Sequence, residues 1–252
     1  MMRLRLALCL LCLWLPNTSV ARNLIDAWIV HPIPGQRGAL KQALLEHMAY
    51  RESQEEEYTW LIYTPMLGDN VSAVLFYRCC VTWDEMERLE RWRVTSGVDQ
   101  HWLDFVEPFV QRMERYISDV DLENSNWPIE PPIAPYMAVT EMYLDAEHME
   151  TAWDGVKRIS DQAKAMDWPF SWQWSRQLGG APIINYVVPY STLVELSPTD
   201  TDFETMMAEY LGDPAKARQE VHLWLSHFDR FDYQIYKLEP ALNPDINIDT
   251  TN

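Results

Sequence analysis

"YTW" at residues 58–60 returns 112 positions later as "FSW" at residues 170–172, an aromatic, a hydroxyl and a tryptophan matched in kind at every position. The same shift lays Asp26-Ala27-Trp28-Ile29-Val30 over Ala138-Val139-Thr140-Glu141-Met142. Similarity to itself at a fixed period marks a repeated structural unit, so the chain reads as two copies of one plan. Between the matched points each copy carries apolar residues three and four apart, Leu40, Leu44 and Met48 in the first and Met149, Trp153 and Val156 in the second. That is the period of a helix with one buried face. After the triplet each copy turns through glycine, Gly68 or Gly179-Gly180, into a second apolar run at residues 71–80 or 183–190, which predicts a hairpin. Thr82-x-x-Glu85 and Thr201-x-x-Glu204 then have the spacing at which hydroxyl and carboxylate satisfy each other's free amides at a helix start. Each helical region breaks near Gly97 or Gly212, and final strands at 116–120 and 233–238 close the copies.

The predicted order is β-α-β-β-α-β, twice: an α+β chain of two ferredoxin-like βαββαβ repeats. Such a unit packs its helices on one face of a four-stranded sheet and leaves the other face to be covered, most simply by the sheet of the second copy. The expected division is a first repeat at 22–123, a Pro-rich linker at 124–136, a second repeat at 137–240 and a polar tail at 241–252. Four prolines within residues 128–135 suit an extended linker, because proline lacks the amide a helix or central strand requires. This order, the helix-Gly-helix second crossover and the duplication resemble the dimeric α+β barrel superfamily, which includes antibiotic-biosynthesis monooxygenase-like, EthD-like and NIPSNAP-like proteins. The resemblance implies a pseudo-dimeric α+β barrel with pockets between sheet and helices. It also admits cofactor-independent oxygenases, haem-degrading and haem-binding enzymes and isomerases, and no motif selects among them.

The chain opens with Arg3 and Arg5, an apolar run over residues 4–15 and the small-x-small site Ser19-Val20-Ala21, the pattern of a secretory signal peptide at 1–21. Export to the periplasm or the exterior is expected. No later stretch is long and apolar enough to predict a membrane span. Without Arg3 and Arg5 the formal charge moves from −18 to −20, which disfavours nucleic acid as a partner. Beyond the leader only Cys79 and Cys80 are left, and successive strand residues face opposite sides. Two free, mostly buried thiols are expected.

Alternation places Phe170, Trp172 and Trp174 on one strand face, with Tyr58, Trp60 and Ile62 as the first-copy match. Recurrence in both copies points first to core beneath helices and second to a pocket wall. Trp174 replaces Ile62, and Tyr186 and Tyr190 lie on the hairpin partner, so if only one copy keeps a pocket, the second is the one expected to. Glu141 stands within a predicted strand, with Tyr143 on its face. Buried, its carboxyl would titrate high and could serve as a general base; at a strand edge it would be an ordinary solvated acid. The ligand-binding candidates are Trp172, Trp174, Tyr143, Tyr186 and Trp60, and the catalytic candidate is Glu141. The histidines show no metal-binding spacing, and no metal or cofactor is predicted. A haem site on one histidine is left open, since His47, His101, His148 and His222 all fall in predicted helices. The expected role is binding a small apolar or aromatic molecule. The alternatives are a cofactor-independent monooxygenase or isomerase, or a non-catalytic interaction module, with further homo-oligomerisation open.

Overall fold

A computed structural model describes residues 23–127, 133–197, 202–243 and 246. The expected leader at 1–21 lies outside the described residues, as do 128–132 of the linker and most of the tail. The chain runs β1 (Leu24–Pro32), α1 (Arg37–Ser53), β2 (Leu61–Leu67), β3 (Val74–Val81), α2 (Trp83–Ser96), α3 (Val98–Phe105) and β4 (Val110–Asn126). It continues with β5 (Tyr136–Tyr143), α4 (Met149–Ala165), β6 (Trp172–Gln177), β7 (Ile183–Tyr190), α5 (Phe203–Leu211), α6 (Pro214–Leu225) and β8 (Arg230–Leu238). All eight strands close into one antiparallel barrel in the order β1-β3-β2-β8-β5-β7-β6-β4. Closure leaves no free sheet edge, and β2–β8 and β4–β6 are the two seams between halves.

A strand in such a barrel is covered on both sides, so β1 is buried at both ends rather than at alternate residues. Its Trp28 and Val30 pack under the first-half helices with Leu40, Leu44 and Leu89. Its Ala27 and Ile29 enter the lumen with Tyr63, Leu75, Met137, Val187 and Tyr236, drawn from strands of both halves. Comparable cross-strand ladders occur in the two halves. Ile62 faces Phe76, which faces Trp28; Trp174 faces Tyr186, which faces Thr140. Glu55 and Asp167, also 112 apart, both end a helix in the left-handed region, at φ 54° and 52°. Gly97 and Gly212 cap α2 and α5 at positive φ, which explains the breaks.

Four expectations are corrected. Thr82 and Glu85 do form the reciprocal cap of α2, but in the second half Asp202 caps α5 by accepting from the Thr205 amide, and Thr201 lies outside the described residues. Asn124, Ser125 and Asn126 belong to β4 rather than to a linker. The β4–β6 register slips between Asp121 and Asn126, and the displaced residues are fixed by Trp172 Nε1 donating to the Asn124 carbonyl and by Ser125 Oγ accepting from the Trp174 amide, both at 2.9 Å. Polar residues that read as loop are here a bulge with its backbone satisfied. At the tail, Leu242 and Asn243 are buried, and the Asn243 side chain accepts from the Ile62 amide and donates to its carbonyl. Finally, Cys79 and Cys80 form a disulfide rather than free thiols, with Cys80 exposed. The β1–β3 register slips at this point, Leu24 pairing with Val81 and Ile25 with Cys79, so Cys80 is left out of the regular alternation.

Candidate functional site

Both halves have a cavity between sheet and helices, and the larger, about 320 Å³, is in the first half rather than the second. Trp28 and Val30 from β1, Trp60, Phe76 from β3 and Trp102 from α3 wall it, while Arg51, Arg93 and Arg115 stand with Glu90 and Asp99 among its lining. Its wall is braced by ion pairs around the rings. Asp26, fully buried, accepts from Arg78 Nη2 at 2.9 Å and from Arg115 Nε and Nη2 at 2.9 and 3.1 Å. Arg78 in turn lies 4.6 Å from the Trp60 ring centre and Arg115 4.7 Å from that of Trp28. Arg51, paired with Glu56, approaches the Trp60 ring from 5.8 Å, and the Trp60 indole donates to the same carboxylate at 3.0 Å. Guanidinium groups over indoles and a bonded indole N–H leave these walls little freedom.

His47 is the cavity's buried ionisable group. Its Nδ1 lies 3.1 Å from Nδ1 of His101, so one imidazole donates and the other accepts. Burial, then the neighbouring Arg51 and His101, push the His47 imidazole down to about 3. It is neutral at physiological pH, a hydrogen-bonding group but too weak a base for proton abstraction there. The cavity volume, at the low end for ligand pockets, is small for a tetrapyrrole. Of the other named histidines, His148 and His222 are exposed and His101 stacks on Tyr50 at 4.1 Å.

The second-half cavity, about 240 Å³, is walled by Trp168, Trp172, Trp174, Tyr186, Phe203 and Trp224. Two of its indoles are tied to structure, Trp174 Nε1 donating to Ser160 Oγ and Trp172 Nε1 to the Asn124 carbonyl, each at 2.9 Å, while the buried Trp224 Nε1 has no hydrogen-bond partner. The residues predicted as one site therefore fall into three places. Trp172, Trp174 and Tyr186 line the second cavity, Trp60 the first, and Glu141 and Tyr143 neither. Two residues beyond Val139 on β5, Glu141 points into the lumen, on the far side of the sheet from the tryptophans. Its carboxyl is nonetheless raised, first by burial, as a buried acid should be. The first cavity went unnoticed because no short motif carries it: His47, Arg51, Trp60, Trp102 and Arg115 come from four separate elements or their edges. The aromatic-hydroxyl-Trp triplet was the one available signal, and it weighed equally for both halves.

No protein-family model matches the chain, and no curated protein sequence does. Solved structures do match. An anthrone oxidase-like protein aligns at a TM-score of 0.53 and 11% identity, over 86% of this chain and 92% of its own. A mutant chlorite dismutase from Candidatus Nitrospira defluvii aligns at 0.51 and 13%, over 88% and 95%. A monooxygenase candidate from Lactobacillus acidophilus aligns at 0.50 and 7%, over 85% and 93%. The shared feature is the α+β barrel fold. At such identities the likeness is one of fold, and it assigns no chemistry to any residue.

Proposed function

We propose that this protein binds a small, planar, largely apolar molecule in the first-half cavity, within a tandem α+β barrel of repeats 22–123 and 137–240 that is exported after loss of residues 1–21. The carrying observation is the cavity itself: indole and phenyl walls braced by ion-paired arginines, with a neutral imidazole as a directional polar contact. The duplication draws support from the equivalent pairing of Ile62–Phe76–Trp28 and Trp174–Tyr186–Thr140 and from the matched left-handed residues Glu55 and Asp167. A catalytic version, a cofactor-independent monooxygenase, has in its favour the fold shared with an anthrone oxidase-like protein and a monooxygenase candidate. Against Glu141 as its base stands that residue's place on the lumen side, away from both cavities.

Anilinonaphthalene sulfonate, a fluorescent aromatic probe, tests the assignment. Leu103 lines the first cavity from an exposed position and Val221 lines the second, so Leu103→Trp and Val221→Trp each fill one of them. Probe binding is expected to be lost in Leu103→Trp and kept in Val221→Trp. The reverse pattern refutes the assignment. Oxygen uptake with an anthrone as substrate would move the protein to the catalytic reading.

A further inference from the structure

The lumen end near the start of β8 carries charge that neither cavity uses. In the β5–β8 ladder Glu141 stands directly opposite Asp232, and Tyr143 opposite Arg230. Both carboxylates lie on the lumen face, in step with Val139 on β5 and Tyr236 on β8. Opposed side chains on neighbouring strands have β-carbons about 5 Å apart, where like charges repel. In the first half the corresponding rung pairs Glu114 with Ile29, so the second carboxylate is peculiar to the β5–β8 ladder.

The surroundings differentiate the two acids. Arg230 lies 3.0 Å from Asp232 Oδ2, and its guanidinium sits 3.8 Å from the Tyr143 ring centre. Glu141 Oε2 accepts from the Tyr143 hydroxyl at 2.8 Å, and its other ladder neighbour is the uncharged Asn185 on β7. From the opposite side β4 contributes Arg112, Glu114 and Tyr116, with Tyr116 donating to Glu114 at 3.1 Å and Arg112 paired to it at 3.1 Å. β1 contributes His31, whose buried Nε2 has no hydrogen-bond partner and lies 3.7 Å from Glu114 Oε2. Tyr236 of β8 completes the set, within the field of Glu141 and Glu114.

We propose that the Glu141–Asp232 rung is a proton-binding site of the barrel lumen, in which the proton resides on Glu141 while Arg230 is the charge partner of Asp232. Like charges on one rung repel, which disfavours an ionised Glu141 beside the Asp232 carboxylate. Glu141 behaves accordingly: burial foremost, then Asp232 and Glu114, raise it against the opposing hydrogen bond from Tyr143 and the charge of Arg230. A group raised in the folded state contributes stability below its unfolded value, and that contribution is lost as pH rises through the folded value. Proton loss thus loosens the β5–β8 ladder, whether or not a ligand binds either cavity. His31 works in the other direction, since burial and Arg112 lower it against the pull of Glu114.

Infrared titration of the full mature chain reads this proton as a protonated-carboxyl band, and urea unfolding reads its linkage to stability. The band is expected to persist above the range of ordinary carboxylates in wild type, to vanish in Glu141→Gln, and to titrate at lower pH in Asp232→Asn. Across the same range the unfolding constant of wild type should rise relative to Glu141→Gln by roughly tenfold for each unit by which Glu141 is raised. An unchanged band and an unchanged pH slope in Glu141→Gln would overturn the assignment. Should that variant not fold, Asp232→Asn decides alone: a band moved toward acid supports the pair, and a band left in place overturns it.

Discussion

Acidification should destabilise this protein through His47 in a way that a single substitution isolates. The folded state holds the imidazole neutral down to about 3, whereas the unfolded chain takes up a proton near the ordinary value of 6.5. A group lowered in the folded state contributes stability above its unfolded value and loses it as pH falls toward the folded one. Integrating between these values gives a loss of about 2 kcal/mol by pH ~5, which changes the unfolding constant roughly thirtyfold. Carboxylates titrate over part of the same range, so the informative quantity is a difference. His47→Gln keeps a polar partner for His101 but cannot take up a proton. Urea denaturation of both proteins at about pH 7.5 and about pH 5 should show the variant less stable at the higher pH and losing about 2 kcal/mol less on acidification. Equal losses in the two proteins would refute the idea that burial, Arg51 and His101 keep this imidazole neutral.

Asp26→Asn should cost about 3–5 kcal/mol in the same denaturation assay, because it leaves the buried Arg78 guanidinium without its carboxylate. A loss below about 1 kcal/mol would mean that solvent reaches Arg78 in the native state. Gly155 of α4 lies under the Trp224 ring, and a β-carbon there would come within 2.5 Å of Cδ1. Gly155→Ala should therefore destabilise by about 1–3 kcal/mol through overpacking. Gly38→Ala in α1, where nothing lies within 4 Å, should instead stabilise by up to about 1 kcal/mol, and equal effects at the two sites would undo the steric explanation.

Much of the fold is legible in the sequence because two short-range signals govern it. The strand and helix periods place the elements, and glycine at 97 and 212 marks where each second crossover breaks. What escapes a one-dimensional reading depends on partners far along the chain. Asn124-Ser125-Asn126 looks like linker until Trp172 and Trp174 supply its hydrogen bonds, and Asn243 looks like tail until it brackets the Ile62 peptide. Alternation correctly puts Glu141 and Tyr143 on one face. It is silent about which face the second-half cavity occupies, and so two sets of residues on opposite sides of a sheet were read as one site.

The two cavities show why a concentration of tryptophan is a poor guide to where a ligand goes. At equivalent ladder positions the first half has Ile62 and the second Trp174, which adds a ring to the wall of the second cavity. Trp224 then packs edge-on against Trp174, with ring centres 5.7 Å apart, and Phe228 edge-on against Trp224 at 5.5 Å. Aromatic rings crowded in this way are core, since each fills the hollow beside the next. In the first half arginines also lie over Trp28 and Trp60, and both indoles line the cavity. The half with fewer aromatic residues is the one with the roomier cavity, and three arginines stand among its lining.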